Sequence, residues 1–182
     1  MTDAAQRRAQ SSYAWGPLTA LGLGTAIVTG IVDQASKFWL LDWFDLPERG
    51  RVALTPFLDL VVTWNAGISY GLLQQRSLLG LWALLVFKAV AVVFLWIWLA
   101  RSSSRLTAVA LGLIIGGALG NAVDRLHWPG VMDFVLFHID TASLSFRWYV
   151  FNLADATIVA GVAGLLYDSL RSGTPQKRPD PG

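Results

Sequence analysis

Residues 106–126, LTAVALGLIIGGALGNAVDRL, carry no charged side chain before the pair Asp124 and Arg125 near their end. A helix needs about 20 mostly apolar residues to cross the hydrocarbon core of a bilayer, and this stretch is long enough. Glycines follow one another at positions 112, 116 and 120, and small residues at this spacing allow two membrane helices to approach closely. The stretch therefore predicts a transmembrane helix inside a tightly packed bundle.

Three other apolar segments lie on either side of this helix, at about 17–41, 78–100 and 150–170. The 182-residue chain is 54% hydrophobic and 14% charged, whereas about 25% of the residues of a soluble domain are charged. We therefore predict a membrane protein of the all-α class, with a single domain over residues 17–170 and four transmembrane helices. The first segment is too long for the hydrophobic region of a signal peptide, so we interpret it as an uncleaved span.

The composition excludes several classes of protein. The chain has no cysteine, so it can form neither disulfides, nor a thiolate nucleophile, nor a cysteine-based zinc site. Its two histidines are too few for a histidine-rich metal site, and a net charge of +2 is too small to indicate nucleic-acid binding. We expect no metal ion, no cofactor and no nucleic-acid partner.

The polar segments between the spans differ in character. Residues 51–64, RVALTPFLDLVVTW, are rich in β-branched and aromatic residues and are interrupted at Thr55 and Pro56. This pattern is typical of short strands, so we predict a small extracytoplasmic β-sheet in the first outer loop, residues 42–77. Residues 127–149 are predicted to form a second outer loop.

The distribution of Lys and Arg predicts the orientation of the chain. With four spans both termini lie on one side, and the short segments of that side contain more cations than the longer loops opposite. Cytoplasmic segments carry such an excess, so both termini are predicted to be cytoplasmic. Residues 1–16 would then form a cytoplasmic arm, and residues 171–182, rich in Pro and Gly, a disordered cytoplasmic tail.

Ionisable side chains gather toward the outer ends of the predicted helices. Such groups are costly inside a membrane and are usually functional. Asp133 and Asp155 lie at the membrane edge, beside chain that can reach a substrate, so they are the strongest candidates for catalysis. The remaining groups are equally consistent with polar contacts between helices; they are Asp33, Lys37, Asn121, Asp124 and Arg125.

Five short motifs occur along the chain in succession. They are DQASK at 33–37, NAGISYG at 65–71, GGALGNAVDR at 116–125, VMDF at 131–134 and FNLAD at 151–155. In order and spacing they resemble the five motifs of the lipoprotein signal peptidases (signal peptidase II), and the resemblance covers about 17–170. Tyr70 stands where the family often has Phe, and the segment between Asp133 and Asp155 is slightly longer than usual.

The resemblance implies an aspartic endopeptidase that removes signal peptides from diacylglyceryl-modified prolipoproteins. Such an enzyme would lie in the bacterial inner membrane, with its active site near the outer face, and would act without metal or cofactor. Its partners would be diacylated prolipoprotein substrates and membrane lipid, and we expect a monomer. Carried over motif by motif, the catalytic pair falls on Asp133 and Asp155.

Two neighbouring carboxylates do not both ionise easily, so under this interpretation the ionised one takes a proton from water while the protonated one donates to the scissile carbonyl.

The other motif residues receive supporting roles under the same interpretation. Asp33 and Lys37 would brace the helices against each other. Asp124 would form a structural ion pair with Arg125, although it is also the rival of Asp133 for one of the two catalytic positions. The residues expected to orient the pair or to bind substrate are Asn65, Gly67, Asn121, Arg125 and Asn152.

Two other functions are compatible with the sequence. One is a small polytopic transporter, or another non-enzymatic membrane protein, with intramembrane carboxylates as proton or cation sites, although the chain has no recognisable repeat of the kind transporters use. The other is a serine–lysine peptidase with Ser36 and Lys37, although adjacent helical residues point about 100° apart. Lys88, near the middle of the second span, matches no motif and has no physical explanation in the sequence.

Overall fold

The computed structural model describes residues 14–66, 78–141 and 143–172. Gly67 lies outside the described residues, as do most of the predicted terminal arm and tail. The described α-helices are α1 (Thr19–Phe38), α2 (Leu46–Arg49), α3 (Leu78–Arg101), α4 (Arg105–His127) and α5 (Leu153–Ser172). The described strands are β1 (Val52–Thr55), β2 (Leu58–Asn65), β3 (Val131–Asp140) and β4 (Ser145–Arg147).

Three of the described helices are long and apolar enough to cross a membrane, namely α3, α4 and residues Leu153–Arg171 of α5. Helix α1 has 20 residues, but it is less apolar because it contains Asp33, Lys37 and several Thr and Gly residues. A π-helical segment, Trp39–Trp43, continues α1 beyond its last regular turn. Three of the four predicted membrane helices thus have the length and composition of a span, and α1, at the position of the other, is more polar.

Helix α4 is the central helix, because α1, α3 and α5 all contact it. A Cβ atom at Gly112 would lie 2.5 Å from the carbonyl oxygen of Gly22 on α1. A Cβ atom at Gly116 would lie 2.5 Å from the carbonyl oxygen of Ala26, and Gly117 packs almost as closely against α5. The glycines of α4 therefore bring helix backbones into direct contact, which fits the close approach that their spacing predicted.

The four strands form one antiparallel sheet in the order β1-β2-β3-β4. Strands β1 and β2 cover residues 52–65, close to the predicted 51–64, and are separated by a turn at Pro56 and Phe57. The sheet is not confined to the first loop, however, because β3 and β4 come from residues 127–149. The prediction of a loop without strands there was incomplete. Strand β3 forms because it pairs with β2, which is distant in the chain. The local sequence of residues 131–140 therefore does not predict it by itself.

Two apolar cores hold these parts together. The core between the helices is formed by Ala26, Leu99, Ala108, Leu111 and Ile115. The second core lies under the sheet and is formed by Leu40, Leu46, Leu60, Met132 and Phe134. Because the second core includes the π-helical segment and α2 as well as β2 and β3, the sheet is fixed to the end of the bundle where α1 ends. That end carries the candidate site.

Candidate active site

Asp155 is held in the first turn of α5 by a pair of reciprocal hydrogen bonds. The side-chain oxygen of Asn152 accepts from the backbone N–H of Asp155 at 2.9 Å, and the Asp155 carboxylate accepts from the backbone N–H of Asn152 at 3.4 Å. This is a capping box, which satisfies N–H groups that a helix leaves free at its start. Phe151 still pairs with Val135 of β3, so α5 begins at Leu153 rather than at the predicted residue 150.

Asp133 is placed by the register of the sheet. Thr63 lies opposite Asp133, and Asn65 follows two residues later on the same face of β2. The Asn65 amide donates to one carboxylate oxygen of Asp133 at 3.1 Å, and the Asn152 amide donates to the other at 2.7 Å. Both oxygens of a side chain that is only 2% exposed are therefore held by neutral amide donors.

Asn121 connects the two aspartates through α4. Its amide nitrogen donates to Asp155 at 2.9 Å, and its amide oxygen accepts from Asn152 at 3.1 Å. The guanidinium of Arg125 donates to the backbone carbonyl of Asn121 at 2.9 Å, one turn away on the same helix. Three asparagines from three different elements thus orient Asp133 and Asp155, which we call the aspartate pair.

The aspartate pair faces a common cavity of about 230 Å³. This volume has space for several water molecules, since a buried water needs only about 10–15 Å³ of such space. The cavity is lined by Asn65, Lys88, Asn121, Arg125, Val131, Asp133, Tyr149, Asp155, Ile158 and Val159. It therefore combines a polar wall from the sheet and α4 with an apolar wall from α5.

The environment of Asp133 favours a retained proton. Burial, and after it the negative charge of Asp155, raise the pKa of Asp133 to about 6, against the lowering effect of hydrogen bonds from Asn65 and Asn152. The negative charge of Asp155 thus opposes ionisation of Asp133, which can hold its proton into the mildly acidic range. One proton beside one negative charge is the state that acid–base chemistry between two carboxyl groups requires.

A second group of charges lies behind the pair, and we call Asp33, Lys37 and Asp124 the bracing cluster. The Lys37 ammonium lies 2.7 Å from a carboxylate oxygen of Asp33 and 2.7 Å from one of Asp124, and all three side chains are at most 1% exposed. The backbone N–H of Ala154 donates to Asp33 at 2.9 Å, and that of Met132 donates to Asp124 at 3.1 Å. The cluster therefore joins α1, α4, β3 and α5.

The partner of Asp124 differs from the one the sequence predicted. Asp124 forms its ion pair with Lys37 of α1 rather than with the adjacent Arg125. Neighbouring residues of a helix point about 100° apart, so Asp124 faces α1 while Arg125 faces the cavity. Gly120 makes room for this arrangement, because a Cβ atom there would lie 2.6 Å from a carboxylate oxygen of Asp33.

The geometry does not favour a serine–lysine mechanism. The Ser36 hydroxyl donates to the backbone carbonyl of Asp33 at 2.7 Å, within its own helix. Lys37 is held by two carboxylates and lies in the bracing cluster rather than at the cavity. Among the described residues, no group of three or more His, Asp or Glu side chains is arranged to hold a metal ion.

The structure separates the candidate residues into two sets. The cavity is lined by Asn65, Asn121, Arg125, Asp133 and Asp155, and the buried Asn152 hydrogen-bonds to both aspartates. Asp33, Lys37 and Asp124 form the bracing cluster. Gly67 lies outside the described residues. Two polar lining residues, Lys88 and Tyr149, were not among the predicted site residues. A lone cation in an apolar span was the sequence signal for Lys88, because such groups are rare unless they face the protein interior.

The fold and the site together define a helical membrane protein with a carboxylate site at one end of its bundle. The chain belongs to the signal peptidase (SPase) II family, whose model matches residues 25–171. This finding confirms the family that the five motifs indicated. The chain is accordingly a bacterial membrane protease of a family that acts on prolipoproteins.

Similar proteins support the same assignment. The lipoprotein signal peptidase of Nitrobacter hamburgensis is 56% identical over 158 residues, covering 87% of this chain and 96% of that protein. The lipoprotein signal peptidase of Rhodopseudomonas palustris strain TIE-1 is 52% identical over 159 residues, with 87% and 97% covered. A bacterial membrane enzyme solved in meso at 2.3 Å has the same fold, with a TM-score of 0.71 and 22% identity over 90% of this chain and 95% of that one.

Proposed function

We propose that this chain is an aspartic endopeptidase that removes signal peptides from diacylglyceryl-modified prolipoproteins. The observation that carries the proposal is the aspartate pair itself. Asp133 from β3 and Asp155 from α5 line one cavity, and Asn152 donates hydrogen bonds to both carboxyl groups. A shared cavity with a pair that can hold a single proton is the arrangement that water activation by two carboxyl groups needs.

The reaction follows from this charge state. The ionised carboxylate accepts a proton from a water molecule while the water oxygen bonds to the scissile carbonyl carbon. The protonated carboxyl donates its proton to the carbonyl oxygen, so the tetrahedral intermediate is a neutral diol. When the C–N bond breaks, the newly protonated carboxyl gives its proton to the leaving amine, and the other carboxylate takes the proton of one diol hydroxyl as the carbonyl re-forms. The pair thereby regains one proton and one negative charge.

The surrounding residues orient the pair and bind the peptide. Asn152 and Asn65 hold the oxygens of Asp133, and Asn121 holds Asp155. Arg125 lines the cavity and offers donors for a peptide carbonyl. Gly67, which follows Asn65 in its motif, leaves room for the substrate backbone in this proposal. No metal ion or cofactor takes part.

The proposed membrane placement uses α1 as a fourth span. Its two ionisable residues, Asp33 and Lys37, pair with each other inside the protein, which lowers the cost of burying them in a bilayer. The end of the bundle where α1 and α4 end and α5 begins carries both the sheet and the aspartate pair. We assign this end to the outer face of the bacterial inner membrane and both termini to the cytoplasm, since the excess of Lys and Arg lies at the other end.

This depth suits a lipid-modified substrate. A diacylated cysteine keeps its acyl chains in the bilayer, so the bond beside it lies near the membrane surface. A signal sequence is itself an apolar helix that can lie against the exposed apolar faces of α3 and α5. The proposed partners are therefore diacylated prolipoproteins and membrane lipid, and a monomer contains the complete aspartate pair.

The decisive test is to replace each aspartate by asparagine. Asp133→Asn and Asp155→Asn should each lower the cleavage of a diacylated prolipoprotein by at least about 10²–10⁴-fold, since each removes one partner of an acid–base pair. Cleavage is measured by gel shift with the purified full-length protein in lipid vesicles. Asp42→Asn, at an exposed carboxylate of the π-helical segment, is the matched control and should retain full activity.

Two results would contradict the proposal. Cleavage at the rate of the unaltered protein by either variant would remove that residue from the pair. A failure of the unaltered protein to cleave the prolipoprotein, combined with proton or cation flux across the vesicle membrane, would favour the transporter instead.

A further inference from the structure

Lys88 lies on the inward-facing side of α3. Every fourth residue of this helix from Leu84 through Lys88 and Val92 falls on one face, and Leu84 is 7% exposed while Val92 packs against the helical core. Phe87, which precedes Lys88, points away from the bundle and is 67% exposed. The ammonium of Lys88 is therefore directed into the protein rather than toward lipid.

Lys88 is the contribution of α3 to the cavity of the aspartate pair. Among the described residues that line this cavity, the others come from the sheet, from α4 and from α5 or the segment before it. Within the described part of the chain, Lys88 makes no ion pair at 4.0 Å or less. An ionisable side chain in an apolar span is costly and is usually functional. Because Lys88 reaches the carboxylate cavity without an ion pair among the described residues, we look for its function there.

The charges around Lys88 come from four elements. Attraction comes from Asp155 of α5 and Asp124 of α4, and repulsion comes from Arg125 of α4 and Lys37 of α1. Asp124 and Lys37 belong to the bracing cluster and are already paired with each other. Asp133 of β3 faces the same cavity. Among these groups, Asp155 is therefore the cavity-lining carboxylate whose negative charge the Lys88 ammonium can stabilise.

The local structure of Asp155 acts in the same direction. Asp155 lies in the first turn of α5, where the helix dipole favours a negative charge. It accepts hydrogen bonds from the Asn121 amide and from the backbone N–H of Asn152. Asp133 lies on a strand, so it has no helix dipole of its own, and it is almost completely buried. The two carboxyl groups therefore differ in how well their surroundings tolerate a charge.

We propose that Lys88 is a positioning residue that holds Asp155 in its charged form, so that the single proton of the pair lies on Asp133. Asp155 is then the base that takes the proton from water, and Asp133 is the acid that donates its proton to the carbonyl oxygen. This inference rests on the proposed function and adds to it an assignment of the two roles.

The test is the pH dependence of cleavage by Lys88 variants of the full-length protein in lipid vesicles. Without the nearby cation, the charged form of the pair is harder to reach. The acid limb of the kcat profile of Lys88→Met should therefore move to higher pH by on the order of one unit, with KM changed less than kcat. Lys88→Arg restores a cation and should return the limb to its original position. Val28→Leu, at an exposed apolar position of α1 that does not line the cavity, should leave the profile unchanged.

Several outcomes would overturn the inference. A Lys88→Met profile that superimposes on that of the unaltered protein would show that the ammonium does not act on the pair. An equal loss at every pH, not restored by arginine, would show a structural role, and a change in KM alone would show substrate binding. Lys88→Gln is the second variant and should shift the limb in the same direction. These results are separate from those of Asp133→Asn and Asp155→Asn, whose retained cleavage would remove the proposed function itself.

Discussion

The bracing cluster and the aspartate pair lie at the same end of the bundle, but their carboxylates are bound by different kinds of donor. In the bracing cluster one ammonium lies 2.7 Å from each of two carboxylates. The backbone N–H of Ala154 donates to the other oxygen of Asp33, and that of Met132 donates to the Asp124 oxygen that Lys37 also contacts. In the aspartate pair, the donors at contact distance are neutral amides and a backbone N–H, and the side chains face a cavity.

This difference shows that the kind of partner, rather than burial alone, decides what a carboxylate does. A cation in direct contact fixes a carboxylate in its charged form and makes it a structural group. Neutral amides orient a carboxylate but leave much of its charge uncompensated, so a neighbouring carboxylate can keep a proton. We therefore expect the bracing cluster to stabilise the fold, and we propose that the aspartate pair keeps a proton that can be transferred.

The largest effect on stability is expected at the centre of the bracing cluster. Lys37→Met leaves Asp33 and Asp124 buried without their cation and should lower the free energy of unfolding by about 3–5 kcal/mol. Unfolding is followed by denaturant titration of the purified protein in detergent micelles. Arg171→Met, at the exposed end of α5, is the control and should change stability by less than about 0.5 kcal/mol. A loss no larger than that of the control would place the stabilising contacts elsewhere.

The aspartate pair should show the reverse behaviour. Burial raises the pKa of Asp133 from 3.8 to about 6, so the folded protein binds this proton more tightly than the unfolded chain does. Stability attributable to Asp133 therefore falls as the pH rises through this window. Asp133→Asn removes the charge and should make the protein more stable at pH 8 by on the order of 1–3 kcal/mol.

The same variant provides its own control at low pH. Below about pH 3 the carboxyl of Asp133 is protonated in both states, so the gain in stability should disappear there. Melting temperatures of the two proteins at about pH 3 and pH 8 measure the difference. An Asp133→Asn protein that is less stable at both pH values would show that the carboxylate contributes to the fold as the bracing cluster does.

The smallest effect on stability is expected at Asn152, where the capping box and the aspartate pair meet. Asn152→Ala removes the cap of α5 and the amide donor to Asp133, so it should cost about 1 kcal/mol of stability and lower kcat by roughly tenfold or more. Asn152→Ser keeps a capping oxygen but lacks the amide. It should therefore retain most of the stability and still lose activity, as measured by thermal unfolding and by the cleavage assay. Full activity of the Ser variant would separate Asn152 from the aspartate pair.

Local patterns were sufficient for much of this protein. Apolar runs of sufficient length predict membrane helices because a bilayer leaves no other way to satisfy the backbone of a single segment. The glycine spacing of α4 predicted close helix contact, and the composition of residues 51–64 predicted β1 and β2. The Asn152 and Asp155 spacing is a capping box that can be read directly from the FNLAD motif. Each of these features depends on residues that are near one another in the chain.

Long-range pairing decided the rest. Strand β3 exists because it pairs with β2 across the second core, and this pairing brings Asn65 to Asp133 although 68 positions separate them. The ion pair of Asp124 with Lys37 likewise depends on which faces of α1 and α4 meet. In the sequence, Lys88 was recognisable only as an isolated charge in an apolar span. The packing of α3 against α4 directs its side chain toward the cavity. The sequence by itself determined the elements and their chemistry, whereas the tertiary structure determined which charges share a partner, because electrostatic contacts depend on distance in space rather than along the chain.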